Sequence, residues 1–173
     1  MKYCSKKNMN RLRIGGIDSI LAYIVVSIPL IYILVFMIGT LYHYAVQSYI
    51  SQIVKETVTN ASAYGGLTST MIKAADDSLT NITNSSINYN VVVKRYVDGS
   101  GYTTVYDQSF NSSALMETGD LYKGDIIGIQ VESEKPSMMG TISTFSLFGS
   151  SGPSIKYSGY REDIIRNEGA DEI

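Results

Sequence analysis

The sequence predicts an α+β protein: a long N-terminal transmembrane α-helix carrying a small head of one short helix and an antiparallel sheet of about four to five strands. Three observations predict it. No Asp, Glu, Lys or Arg occurs from Ser19 to Val54. The apolar rhythm of that stretch continues at helical spacing as far as Ala61. After Lys55 the chain becomes rich in Ser, Thr, Asn, Gly and Tyr, and short alternating segments are separated by turn residues.

The core of the apolar stretch, Ile20 to Leu41, is 22 residues long. At about 1.5 Å per residue it crosses a hydrocarbon layer of ~30 Å. An export signal would have an apolar region of about 7 to 15 residues with a small-residue cleavage site beyond it, and neither is present. Past Leu41, the residues Ala45, Tyr49, Ile53, Val58 and Ala61 extend one helical stripe. Tyr64-Gly65-Gly66 then supplies a stop. A helix from Ile17 to Ala63 would be about 70 Å long, more than twice what a bilayer needs. Pro29 removes a backbone donor inside it and predicts a kink over Val25 to Pro29. Tyr42, Tyr44 and Tyr49 follow the apolar run as an interfacial aromatic belt would. His43, the sole histidine, reads as an interfacial residue among them.

Charge divides the chain the same way. The first sixteen residues hold Lys2, Lys6, Lys7, Arg11 and Arg13 and no acid, which leaves nine basic residues against sixteen acids beyond them. A basic flank before an apolar span stays in the cytoplasm and sends the head outside, to the extracellular or periplasmic side. The acidic remainder argues against nucleic-acid binding. Cys4 is the only cysteine, so neither an internal disulfide nor a thiolate metal site can form. The resulting organisation is a basic cytoplasmic leader at 1–16, a transmembrane and assembly helix at 17–64, an exported head at 65–166 and a disordered tail at 167–173.

A basic leader, a glycine, a short polar step with an acid and then a long apolar helix bearing a β-rich head: this order resembles the precursors of type IV pilins. It is most similar to the TadE-like pseudopilins. ETVTNASAYGGL, Glu56 to Leu67, looks like that family's small-residue helix end, and KGDIIGIQVESE, Lys123 to Glu134, like its Gly-Asp before an alternating strand. The resemblance implies cleavage by a prepilin peptidase after Gly16, or after Gly15, leaving Ile17 or Gly16 as the new N-terminus. It further implies packing of the exposed helix with copies of itself or paralogous subunits. The chain departs from pilins at the fifth mature position, where Leu21 stands in place of a glutamate. Asp18 either pairs with the new amine of a neighbouring subunit from a different register or is a boundary acid at the membrane surface.

In the head, LTSTMIKAADDSLTNI predicts a short helix with Thr68 or Ser69 as N-cap and Leu67, Met71, Ala74, Ala75, Leu79 and Ile82 on its apolar face. Asp98-Gly99-Ser100-Gly101 between NYNVVVKRYV and YTTVYDQ has the chemistry of a hairpin turn. Gly124 to Glu134 alternates as a half-buried strand, which Pro136 ends. TISTFSLFG, from Thr141, reads as a strand or an exposed loop, and SIKYSGYRED, from Ser154, as a last strand.

No catalytic constellation emerges, and the chain reads as a non-enzyme without cofactor or metal. With its one histidine in the anchor, the head cannot build a Ser-His-Asp or Cys-His site. Asp76 and Asp77 point to diverging faces of a helix. Glu132 and Glu134 share a strand face that reads as solvated. The sequons at Asn60, Asn81, Asn84 and Asn111 read as chance in an Asn- and Ser-rich chain, and fourteen tyrosines without tryptophan suit amphipathic contact surfaces. Two functions follow as expectations: a pilin-like structural subunit of a cell-surface filament or secretion or conjugation apparatus, or a single-pass anchored extracellular binding protein that does not polymerise.

Overall fold

The computed structural model describes residues 6–110, 121–144 and 154–166; side chains before Ser19 lie outside that description. Helix α1 spans Lys6–Tyr64, α2 Ser69–Thr83 and α3 Met138–Thr144, and the strands are β1 Ile87–Val97, β2 Gly101–Phe110, β3 Ile126–Pro136 and β4 Lys156–Ile164. The strands form one antiparallel sheet in the order β2-β1-β3-β4. The α+β class and the strand count are as expected. The leader residues 1–5, Asn111, the end of the Thr141–Gly149 segment and the tail 167–173 lie outside the described residues.

Helix α1 begins at Lys6, ahead of the Ile17 start expected from sequence. Gly15 and Gly16 each cost about 1 kcal/mol relative to alanine, which weakens a helix without breaking it. At its other end Gly65 and Gly66 both donate backbone N–H groups to the Ala61 carbonyl, at 3.0 and 2.9 Å, and close the last turn. The chain divides into two compact units between Thr40 and Leu41, so the last six turns of α1 belong to the head.

In the head unit α1 buries Val46, Ile50, Val54, Val58 and Ala61 in a core shared with Leu79 of α2, Val91 and Val93 of β1, and Ile127, Ile129 and Val131 of β3. The stripe expected from sequence is buried only at its end, where Val58 and Ala61 lie in the core and Ile53 packs against it. Leu41 and Tyr49 are 69 % and 59 % exposed, and Ala45 is exposed as well. Two neighbouring apolar stripes compete on this helix, and the sheet takes the β-branched one, whose short stiff side chains allow close approach. The helix comes close at Gly159 of β4, where an added Cβ would meet Ile50 Cγ2 at 3.0 Å and Val131 and Val54 methyls at 3.3 Å. Gly159→Val is expected to overpack this seam and cost about 2 kcal/mol, read as a lowered thermal midpoint of the head.

Helix α2 takes Thr68 as its N-cap, with the Thr68 hydroxyl accepting from Met71 N–H, and ends at left-handed Asn84. Ala75 and Leu79 face the core, whereas Ala74 is exposed and Ile72 takes its place. Tyr89 O–H donates to Asp76 Oδ1 at 3.0 Å and ties α2 to β1. The β1–β2 hairpin turns at Gly99, with φ +83°, a conformation that favours glycine, and Ser100 N–H donates back to the Val97 carbonyl.

The segment from Thr141, expected as a strand or loop, is helical through Thr144. Ser137 starts α3: its hydroxyl accepts from Gly140 N–H at 3.0 Å and its carbonyl from Thr141 N–H. A Cβ at Gly140 would come within 2.3 Å of the Ile155 carbonyl, so only a bare backbone fits there.

Candidate functional site

Every residue from Ser19 to Ile38 is exposed except half-buried Tyr32, and these include Ile20, Leu21, Ile24, Val25, Leu30 and Leu34. One helix is thus long and apolar enough to cross a membrane. An apolar surface of this extent is foreign to a water-soluble monomer. Its few polar groups are satisfied within the helix. Ser27 Oγ donates to the Ile24 carbonyl at 3.1 Å and Thr40 Oγ1 to the Phe36 carbonyl at 2.8 Å, as hydroxyls must in hydrocarbon.

The residues singled out from sequence all lie on this helix. Gly15, Gly16, Ile17 and Asp18 fall in the part of α1 whose side chains are outside the described residues. The Gly15–Gly16 pair is intrinsically the easiest place in that part of the helix to unwind. Pro29 lies inside α1, and the helical assignment runs through it.

In the head unit, Leu41, Tyr44, Ala45 and Tyr49 of α1 are exposed. His43 packs on the head. Its ring stacks on Tyr157 of β4 at 5.2 Å between centroids. Its Nδ1 is buried and has no hydrogen-bond partner.

Several of the head's ionisable groups are engaged structurally. Asp125 is buried and receives Arg95 Nε at 3.0 Å and Nη2 at 2.8 Å, with Tyr122 N–H donating to it at 3.0 Å. The Arg95 guanidinium also lies 4.2 Å over the Tyr122 ring. Glu132, expected on a solvated strand face, pairs with Lys156 at 2.7 Å. Among the described residues no group of three His, Cys, Asp or Glu side chains could hold a metal ion. The cavity between α1, α2 and the sheet is about 10 Å³, room for one water at most.

Two carboxylates titrate below their ordinary range. Hydrogen bonds from Lys94 and then Tyr160 lower Glu162 against the opposing effect of burial. At Asp163 burial pushes upward, and the Ile164 N–H, the Ser62 hydroxyl and Arg166 outweigh it. A carboxylate depressed by folding stabilises above its unfolded value near 4, and the contribution disappears as pH falls through the lower folded value. The urea midpoint of the head is therefore expected to fall between about pH 5 and pH 3, by under about 1 kcal/mol per group because both are near the surface. A Glu162→Gln, Asp163→Asn variant should show a flatter profile.

One feature has no signal in the sequence. Along the free edge of β4, α1 and the sheet leave an open groove bordered by Gln47, Ser51, Lys55, Arg161 and Arg166. Its two walls are about a hundred residues apart in the chain, so no local pattern foretells it. Comparison with protein-family models, with curated proteins and with solved structures yields no match.

Proposed function

We propose that this chain is a pilin-like, TadE-like pseudopilin subunit of a cell-surface filament or of a secretion or conjugation apparatus, and that it acts by assembly rather than by catalysis. One observation carries the reading. Within the head unit, α1 also exposes Leu41, Tyr44, Ala45 and Tyr49, on faces the sheet does not use. A simple stalk has no need of apolar residues there, whereas a bundle of such helices buries them. At about 25 cal/mol per Å² of apolar area, a second subunit laid along this surface has ample driving force once outside lipid.

In this reading the basic leader stays in the cytoplasm and the head lies outside the membrane, as the Lys and Arg of the first sixteen residues favour. A prepilin peptidase cuts after Gly16 or Gly15, and Asp18, next to the new amine at Ile17, sets register by pairing with a neighbour's amine. Pro29 leaves the Val25 carbonyl without its helical donor and lets the helix bend as it moves from lipid into a bundle.

The test is the N-terminus and intact mass of the protein extracted from membranes after coexpression with a prepilin peptidase. A start at Ile17 or Gly16 is the expected result. An intact Met1 or Lys2 would favour the non-polymerising anchored binding protein.

A further inference from the structure

We propose that the groove beside the free edge of β4 is the docking site of an acidic, extended peptide segment of a partner protein, which adds to the four-stranded sheet as a fifth strand. Two independent features converge on it, and neither depends on the filament reading.

The first is backbone chemistry. In an antiparallel strand alternate residues direct both N–H and C=O to the same side. Tyr157 and Ile165 use theirs toward the β3 side, where the Tyr157 N–H donates to the Ser133 hydroxyl and the Ile165 N–H to the Asp125 carbonyl. Ser158, Tyr160, Glu162 and Ile164 therefore turn their main-chain groups to the open edge. Ser158 is already served there: the Gln47 side-chain amide donates to its carbonyl and accepts from its N–H, as a neighbouring peptide would. The Ile164 N–H is taken by the Asp163 carboxylate at 2.9 Å. Between them, Tyr160 and Glu162 have no main-chain partner on that side among the described residues, and each offers an N–H and a C=O at strand spacing.

The second is charge. Lys55 of α1 and Arg161 of β4 both border the groove, and among the described residues neither has a carboxylate within ion-pair distance. Arg161 Nη2 donates to the neutral Ser51 hydroxyl at 2.8 Å. The nearby acids are committed elsewhere, Glu162 to Lys94 and Asp163 to Arg166 and Ser62. An anionic occupant relieves the repulsion between the two uncompensated cations.

Together the two features choose the occupant. A small anion such as phosphate would answer the charges and leave the main-chain groups of Tyr160 and Glu162 unpaired, whereas a strand bearing carboxylates answers both. They also set its pattern. Arg161 turns its main chain toward β3, so the residue opposite it on an added antiparallel strand forms the close, non-hydrogen-bonded pair, with both side chains on the α1 face. The charges call for an acid there. The residues opposite Tyr160 and Glu162 exchange main-chain bonds and send their side chains to the other face, beside the exposed Tyr160 ring and the Lys94–Glu162 ion pair. An apolar side chain suits Tyr160, and an acid would be repelled by Glu162. The strand thus alternates acidic and apolar residues, and a slip of one residue abolishes the fit. Adjoining stretches of the groove hold about 530 and 440 Å³, against about 10 Å³ for the cavity in the core, so the added side chains have room.

The test adds the peptide acetyl-Ser-Glu-Val-Glu-Val-Glu-Ser-amide to the full chain in detergent micelles at about 50 mM salt and follows amide hydrogen exchange. Saturating peptide is expected to slow exchange at Tyr160 and Glu162 about ten-fold, with Ile127 and Ile129 inside the sheet reporting that the head stays folded. Lysine in place of the glutamates, or N-methylation of the valines, which removes the donors facing β4, should each weaken binding about ten-fold. Lys55→Glu, Arg161→Glu should reverse the preference, so that the lysine peptide binds the more tightly. Unchanged exchange at both amides with about 1 mM peptide would overturn the proposal. Equal binding of the glutamate and lysine peptides to the unaltered chain would overturn it, and equal binding of the N-methylated peptide would do so by reducing the groove to a simple anion site. Slow exchange at Tyr160 and Glu162 before any peptide is added would overturn it too, since the edge would then already be paired within the chain or with a second copy.

Discussion

Asp125→Ala is expected to destabilise the head by about 3 kcal/mol and to lower its thermal midpoint by on the order of 10 °C. The carboxylate is buried, and it is the common acceptor for Arg95 Nε and Nη2 and for the Tyr122 N–H. The substitution takes away the buried carboxylate that Arg95 Nε and Nη2 and the Tyr122 N–H share, and it frees the turn over Tyr122–Asp125 that aligns the start of the central strand β3. Asp125→Asn keeps the shape and one acceptor and should cost roughly half as much. A thermal melt in detergent, followed by the sheet's circular dichroism, decides the matter. A shift below about 3 °C for the alanine variant would mean that the desolvation cost of the pair had cancelled its attraction.

The other large effect belongs to the apolar run. Ile31 and Leu34 lie near the centre of the Ile20–Leu41 stretch, three residues apart and so on one helix face. Replacing both by aspartate should disfavour insertion by about 7 kcal/mol, since each aspartate at a bilayer centre costs about 3.5 kcal/mol relative to an apolar residue and its short side chain cannot reach the interface. Carbonate extraction is expected to move the protein from the membrane pellet to the soluble or aggregated fraction. Gln52→Asp, on the exposed face of α1 within the head, should leave fractionation unchanged. If the double variant stayed in the membrane, the span would have to lie elsewhere than Ile20–Leu41.

Much of this fold was legible because its signals are local. The Thr68 cap, the Gly99 turn and the alternation of Ile127, Ile129 and Val131 each act within a few residues, and each marked its element correctly. The register of α1 was not legible in the same way. The expected series Leu41, Ala45, Tyr49, Ile53, Val58 and Ala61 meets the buried one, Val46, Ile50, Val54, Val58 and Ala61, only in its last turns, and over Val46 to Val54 the close partner at Gly159 is what selects the buried face. Helix α3 was missed because Thr141 to Thr144 has strand propensity, while the deciding signals were Ser137 as a cap and the bare backbone of Gly140 against Ile155. At the candidate site, the uncharged span announced itself, whereas the cationic groove arises from Lys55 and Arg161, which only the folded chain brings to one edge.

The contribution of α1 to the head's core has a consequence for biogenesis. The helix is synthesised first, yet Val46, Ile50 and Val54 acquire their last cover only when β4, about a hundred residues later, pairs with β3. Such separations make closure slow compared with local helix formation. A nascent chain interrupted before Lys156 would hold a finished helix, a three-stranded sheet with an uncovered inner edge and a strip of valines open to chaperones or proteases. Completion of the head thus waits on the last strand, and chains ending before Lys156 are expected to be degraded faster than the full chain.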